Sequence, residues 1–569
     1  MLPNKPEIQT IGKWITGFLG TPLFFFLTPG GDVLQWPGII IFSLFMLFLA
    51  YAEIHYRLWK FRGRLYRDMP EIVFDLPHRS QLGKDVPLFL FINHADQFPI
   101  ELKAVRWILR RASASHQPQE RTIAISSKVE RPFFAQVFWV PASALAAPGD
   151  YLLEPEAVIA RHGRERLILR DNYPGLPRYP LTIFVDDAPL PTLEDWYWGD
   201  MHVHSFYTRD SIEFAAPVSE TVTAARSLGL HFLAITDHSY DFQTATPAGE
   251  SWRAFQKEVT RVNRLHSDFC VLPGEEVSVG NCRNQNVHCL VIGYPEFLPG
   301  SGDGALKPFN NRPELALQEL IARIQSRNAL IAAAHPLERP PRTHQWILNR
   351  GYWYPQDLTQ SGIHCWQILN GWRSPAFYQG LAFWKQQLLR GRSITLLAGN
   401  DAHGNFNLSR HVHIPLLMLR QHRHQILGRM RTGVWLQGPL TPDHLLSALR
   451  QGQSLISSGP LLTLSISHPN GECRIGQTLR GGGKMNIYIQ ARSSPYYGTI
   501  KRIVLFFGDA GQQREFPIEL TVAHQQLYVT REISYPISPK MCYIRGELYT
   551  HNGQMEHFCY TNPIWIAED

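Results

Sequence analysis

Between residues 196 and 450 the chain repeats one arrangement, a short apolar run broken off by a histidine or a carboxylate. HFLAITD leads into Asp237 and His238, and LPGEEVS carries Glu275 and Glu276. NVHCLVIGY holds His288, ALIAAAH ends on His335, and SITLLAGND ends on Asp401 with His403 just beyond. Helical stretches lie between the runs: PELALQELIARIQSR (313–327), SPAFYQGLAFWKQQLLR (374–390) and TPDHLLSALRQG (441–452), the last framed by a Thr cap and a closing Gly. Strands that alternate with helices predict an α/β fold with a parallel sheet. In a (β/α) barrel the carboxyl ends of the strands are where functional side chains gather. Apolar packing alone gives no reason to set an ionisable group at each of these ends.

The series opens with WGDMHVHSFYTRD (198–210). Alternate side chains of a strand share a face, so His202 and His204 point together. A lone H-x-H says little in a chain with 24 histidines. His411, His413, His422 and His424 form two more such pairs, have no strand-end pattern, and are read as ordinary histidines. His202 and His204 gain weight from the later strand ends. With Asp210, His238, Glu276, His288, His335, Asp401 and His403 they exceed the roughly four protein ligands of one tetrahedral ion. Two or three divalent ions sharing ligands are therefore expected. Imidazole and carboxylate without thiolate suit zinc, manganese or iron. The seven cysteines form no C-x-x-C pair, which argues against a thiolate site and a disulfide framework. Paired ions can hold a hydroxide nucleophile between them and stabilise a developing oxyanion.

H-x-H, T-D-H, G-x-E, a single His, A-H-P and G-x-D-A-H, in this order over about 197–410, resemble the PHP (polymerase and histidinol phosphatase) superfamily. The flanking WGDMHVHS and LISSGPLLTLSIS are similar to its carbaryl-hydrolase-like branch. The resemblance implies a distorted (β/α)7 barrel and a two- or three-metal hydrolytic site. His202, His204, His238, Glu276, His288, His335, Asp401 and His403 match the family's ligand positions. Asp210 stands where many members place a third histidine, which leaves a third ion open. Asp237, His335 and Asp401 are the expected catalytic residues, Asp237 either orienting a ligand or accepting a proton. Asn370, at the end of CWQILN, is expected to line the pocket. Arg209 and Arg410 follow ligand motifs, and their guanidinium forks suit an anionic substrate. A phosphoester is the favoured substrate, with carboxyl, carbamate or phosphonate esters as the rival. A metal-stabilised, non-catalytic scaffold is the alternative of another class.

The flanks read differently. PGIIIFSLFMLFLAYA (37–52) is an uninterrupted apolar run, extended by Leu34 to Trp36 toward the ~20 residues a spanning helix needs. IGKWITGFLGTPLFFFL (11–27) is weaker and could span, re-enter or lie interfacially. Lys5, Lys13 and the basic cluster after residue 56 place both outer flanks on the cytoplasmic side. The expectation is a transmembrane hairpin (11–27 and 34–52) within a 1–67 anchor. It implies contact with the lipid bilayer, an inner-membrane location if bacterial, a cytoplasmic catalytic part, and a small-molecule or lipid-linked ester as substrate. Residues 68–195 and 453–569 are rich in short strands and turns and are expected to form β-sandwich domains around a 196–452 barrel. The net charge of +7 is modest for 569 residues, and no basic-aromatic stripe marks a nucleic-acid partner.

Overall fold

The computed structural model describes residues 43, 44, 47, 68–113, 117–173, 176, 178–208, 215–243, 249–304, 310–325, 328–413 and 418–567. Residues 69–410 and 421–569 make one compact unit, and Met1–Asp68 with His411–Arg420 make another. The first unit carries the chemistry.

Its N-terminal part contains β1 (Glu71–Asp75), β2 (Arg79–Gln81), β3 (Val86–Asn93), β4 (Ile100–Arg111), β5 (Gln119–Val129), β6 (Phe133–Val140), β7 (Gly149–Arg161), β8 (Arg164–Leu169) and β9 (Leu181–Asp186). They form one sheet ordered β1-β3-β6 and another ordered β2-β9-β7-β4-β5, with β8 beside β7. Strand β4 shows how the sequence places the core. Its buried positions change from Ile100 and Leu102 to Val105, Trp107 and Leu109, an even-to-odd switch. The register shift between Leu102 and Ala104 accounts for it, since one extra residue moves every later side chain to the other face. These residues share a core with Ile72, Phe74, Leu88 and Leu90 of the other sheet.

The site is built on β10 (Trp196–His204), β11 (Phe232–His238), β12 (Cys270–Gly280), β13 (Asn286–Ile292), β14 (Leu330–Ala334), β15 (Cys365–Asn370), β16 (Thr395–Gly399) and β17 (Ala402–His403). Strands β11 and β14 are buried at every position; β14 is apolar throughout, whereas β11 is apolar to Ile235 and then buries Thr236, Asp237 and His238. The helices Val218–Ser227, Glu250–Leu265, Leu317–Ile324, Pro375–Leu389 and Pro442–Arg450 fall between or after these strands. Ser374 and Thr441 cap two of them by accepting from the Phe377 and His444 amides.

The expected (β/α)7 barrel between two sandwich domains is corrected. Among the described residues strand outweighs helix, 46% against 16%, and the central sheet is a mixed one of 16 strands. Strands β10, β11 and β12 run parallel, as do β14, β15 and β16, but β13 is antiparallel to both β12 and β14. The cause is local. Only Asn281–Gln285 joins β12 to β13, too short a link for the crossover that parallel neighbours need. On its other side β10 pairs antiparallel with Arg431–Trp435. Through that strand the sheet passes to Ser454–Ser457, Glu556–Thr561, Met541–His551 and Thr499–Asp509. The C-terminal strands thus continue the sheet that bears the site. Apolar runs reveal that a strand exists, but not its direction or its neighbour.

The membrane hairpin is corrected as well. Among the described residues no helix is long and apolar enough to cross a membrane. Nearly all of 11–27 and 34–52 lies outside the described residues. The membrane location that rested on the hairpin is corrected with it.

Candidate metal centre

Seven of the residue positions singled out in the sequence meet around one carboxylate, Glu276. His202 Nε2 and His204 Nε2 lie 3.1 Å apart. Each stands 3.3 Å from Glu276 Oε2, and they are 3.4 and 3.1 Å from Asp401 Oδ1. His238 Nδ1 is 3.1 Å from Glu276 Oε2. On the other carboxylate oxygen, Oε1, His288 Nδ1 lies at 2.8 Å and His335 Nε2 at 3.3 Å. His403 stacks on His204, ring centres 4.0 Å apart and 7° from parallel.

These separations fit ligands of shared ions. With metal–nitrogen bonds of about 2.0–2.1 Å, the edge of a coordination tetrahedron is about 3.3 Å. His202, His204, Glu276 and Asp401 could hold one ion, His238, Glu276 and His288 a second, and His204, His238 and His403 form a third overlapping group. Glu276 belongs to two of these groups, as a bridging ligand does.

The chemistry of the donors supports the fit. His202 Nδ1 faces Gln367 Oε1 at 2.9 Å, and the Gln367 amide is oriented by its 3.1 Å bond to Asn370 Oδ1. His204 Nδ1 faces Thr208 Oγ1 at 3.0 Å. Thr208 Oγ1 gives its own proton to Asp237 at 2.7 Å, so it accepts from His204. His403 Nδ1 lies 3.0 Å from the Asp401 carbonyl, and His288 Nε2 lies 3.4 Å from Asp303 Oδ2. In each case an acceptor holds the proton on one ring nitrogen and leaves a lone pair on the other. The Nε2 lone pairs of His202 and His204 then face each other at 3.1 Å, an arrangement that calls for a cation between them. His238 Nδ1 is buried and makes no hydrogen bond despite the nearby Glu276 oxygen. It has the distance of a co-ligand without the direction of a hydrogen bond.

Electrostatics agree. Burial alone would raise the Glu276 carboxyl, but His288, His202 and His204 reverse this and hold it well below the ordinary range. Asp401 is likewise raised by burial and brought well below by the histidines. Burial opposes charge on His202 and His288, yet Glu276 and its fellow carboxylates lift them to about 9 and about 10. His204 goes the other way, lowered by burial and by His403 and His238, as fits a ring that offers a lone pair.

Two ligands adopt backbone angles that side chains avoid, His335 at φ 29° and Asp401 at φ 52°. Gly399 leaves the space for His202, since a Cβ there would meet the His202 Cβ at 2.6 Å and its N at 2.8 Å. The His202 and His204 side chains are fully buried, whereas His288, His335 and Asp401 are 15%, 21% and 17% exposed. The cluster therefore opens to solvent on the His335–Asp401 side.

The other expected residues fall into separate places. Asp237 accepts from Ser205 N, Ser205 Oγ, Thr208 N and Thr208 Oγ1, so its role is to hold the loop after β10 and, through Thr208, His204. Asn370 orients Gln367. Arg410 is buried near Asp75 and Arg170 rather than beside the ligands, and its guanidinium makes no hydrogen bond. Arg209 and Asp210 lie outside the described residues. Glu275 points away from Glu276, as strand alternation demands, and accepts from Leu298 N.

Sequence reasoning missed several supporting residues. Gln367 and Thr208 are uncharged, and no ligand pattern marks them. Asp303, which also touches Ser278 and Arg350, sits in a glycine-rich loop. Asp200 does carry a signal, since Asp200, His202 and His204 alternate along one strand. It accepts from His202 N, Asn400 N, Asn400 Nδ2 and Gly428 N, tying β10 to the loop that presents Asp401. Glu338 was also overlooked. Burial pushes its carboxyl up, with His335 opposing and Asp401 adding to the shift, and Asn370 bonds to it.

No protein-family model matches the chain, and no curated protein matches it. Among solved structures, a putative late embryogenesis abundant protein is 13% identical, with 23% of this chain and 84% of that one covered and a TM-score of 0.16. A beta-glucosidase from Listeria innocua in complex with glucose is 13% identical, with 18% and 16% covered and a TM-score of 0.12. A beta-D-mannosidase from Dictyoglomus thermophilum is 10% identical, with 86% and 66% covered and a TM-score of 0.22. At such TM-scores these likenesses carry no argument about fold or activity.

Proposed function

We propose that the chain is a metal-dependent hydrolase of ester bonds, with a phosphoester as the favoured substrate. The observation that carries this reading is the set of 3.1–3.4 Å separations among His202, His204, Glu276 and Asp401, with proton-holding acceptors behind both histidines. The order of the motifs, with its resemblance to PHP proteins, supports the same reaction class. The barrel expected of that family is not part of the proposal. Bound divalent ions would supply an activated water at neutral pH and stabilise negative charge on the transferred group.

The chain's own residues divide the remaining work. His202, His204, His238, Glu276, His288, His335, Asp401 and His403 offer the ligand atoms. Gln367, Thr208 and Asp303 hold ring protons on the nitrogens away from the centre. The exposed side, at His335 and Asp401, is the direction of substrate approach. Glu338 stands next to it with a carboxyl that keeps its proton above the ordinary glutamate range. Its place beside His335 and Asp401 suits it to donate a proton to a departing oxygen.

The test joins elemental analysis to a substrate panel. Protein reloaded with Mn²⁺ or Zn²⁺ is expected to bind about two ions or more and to hydrolyse p-nitrophenyl phosphate or bis(p-nitrophenyl) phosphate. Turnover of p-nitrophenyl acetate alone would move the substrate class to carboxyl esters. Stoichiometric metal with no hydrolysis of any of the three would leave the ions a stabilising role only.

A further inference from the structure

Away from the ligand cluster, the N-terminal sheets, the strand after residue 430 and the C-terminal strands bring a second set of charges together. Arg79 and Arg431 are each only 1% exposed. Arg79 Nη2 is satisfied by Asp186 Oδ2 at 2.9 Å and by the Ala188 carbonyl, but its Nε has no hydrogen-bond partner. Arg431 is less satisfied: both Nε and Nη1 are buried and without one. Its guanidinium lies 5.4 Å from the centre of the Tyr497 ring, and that of Arg79 lies 6.0 Å from the same ring. The Tyr497 hydroxyl, also buried, has no partner either. His557 packs edge-on to Tyr497 at 5.2 Å, and Tyr496 lies 4.8 Å away.

The charges do not balance. Asp186 is the carboxylate paired with Arg79, and Ser494 Oγ and Ala188 N already use its oxygens. Arg431 and Arg429 bring further positive charge to the same place. Its field is felt by two histidines: burial first, then Arg431 and Arg429, lower His78 to about 3 and His557 to about 4. Arginine cannot lose its proton to escape this cost, and an unpaired buried charge is strongly destabilising. Two guanidiniums and a phenol, each with a buried donor group that has no hydrogen-bond partner, suit a small tetrahedral oxyanion.

The geometry points to a buried oxyanion site, for phosphate or a phosphoryl group, built from Arg79, Arg431 and the Tyr497 hydroxyl at the junction of these three parts of the chain. The site is independent of the hydrolase reading, because none of its residues is a metal ligand. It links the N-terminal sheets to the strand Arg431–Trp435, the neighbour of β10. An anion there would strengthen the frame on which His202 and His204 stand.

The test uses the full chain stripped of metal with a chelator, which removes metal-held phosphate at the ligand cluster, and the Arg431→Met variant separates the buried site from any phosphate at the histidines. Thermal unfolding is followed against inorganic phosphate, glycerol phosphate and sulfate, with chloride at equal ionic strength as control. The expected result is a saturable rise in Tm of roughly 2 °C or more with the oxyanions and none with chloride. A larger response to inorganic phosphate assigns the free ion, and a larger one to glycerol phosphate assigns a phosphoryl group; both support the site. Arg431→Met should abolish the response. Tyr497→Phe, which keeps the ring, should raise the half-saturating concentration about tenfold. No oxyanion-specific shift in the unmutated protein, or a full shift in Tyr497→Phe and Arg431→Met alike, overturns the proposal.

Discussion

Thr208 donates to Asp237 at 2.7 Å and faces His204 Nδ1 at 3.0 Å, so the aspartate reaches the ligand cluster only through a hydroxyl and an imidazole. This makes Asp237 a positioning residue. Asp237→Asn would turn part of an all-acceptor group toward the donors of Ser205 and Thr208. Metal affinity is expected to fall about 10–100-fold, measured by competition with a chelator. At saturating metal, kcat should recover toward the unmutated value. A persistent loss of kcat would instead make Asp237 a participant in proton transfer.

Glu276 is shared by two of the ligand groups. Glu276→Gln should therefore cost more than removal of a peripheral ligand. The bound metal per chain should fall by at least one ion, and hydrolysis by about 100-fold or more. Glu275→Gln is the control. Its neighbouring carboxyl is buried against Leu298, raised by burial well above its ordinary value, so the neutral amide should leave metal content unchanged.

Metal removal should make stability depend on pH in a defined direction. His202 and His288 are lifted from 6.5 to about 9 and about 10. The folded chain then keeps protons that the unfolded chain releases. Their contribution is complete below the unfolded value of 6.5 and is lost as pH rises through 9 to 10. Thermal unfolding of the metal-free protein should show Tm falling across this window. Protein loaded with Zn²⁺ should show a flatter profile, because ions take the place of the protons. Parallel profiles with and without metal would mean that the histidines do not face a common cation site.

Glu338→Gln tests the proton donor. Metal content is expected to be unchanged while kcat drops roughly 100-fold with a substrate whose leaving group is a poor one. With a p-nitrophenyl ester, which needs no protonation to depart, the loss should be much smaller. An equal loss on both substrates would assign Glu338 to binding instead.

Much of the candidate site was legible because its ligands are ionisable residues placed where apolar runs stop. His202 and His204 follow from strand alternation, and the same rule separates Glu276 from Glu275. The helix Pro442–Arg450 announced itself by Thr441 and Gly452. What the sequence could not show is pairing. The apolar run of β13 looks like those of its neighbours, yet the short link from β12 reverses it. The strands after residue 453 look like a separate sandwich, yet several hydrogen-bond into the sheet that bears the ligands. Thr208 and Gln367 escaped notice for another reason. A neutral side chain that only holds a proton in place has no spacing rule, and its role exists only once the fold is formed.

The continuity of the central sheet bears on how such a site can be inherited or transplanted. Strand β10 carries His202 and His204 on one course of residues and pairs with Arg431–Trp435 along another, and that strand in turn pairs with Ser454–Ser457. A chain cut after residue 452 would leave this strand with a bare row of amides and carbonyls, an edge ready to join another molecule. The ligand-bearing strands are thus not a portable cassette. Gene fusion or truncation at that point would yield an aggregating fragment rather than a smaller folded unit, so the C-terminal strands and the candidate ligands must be passed on together.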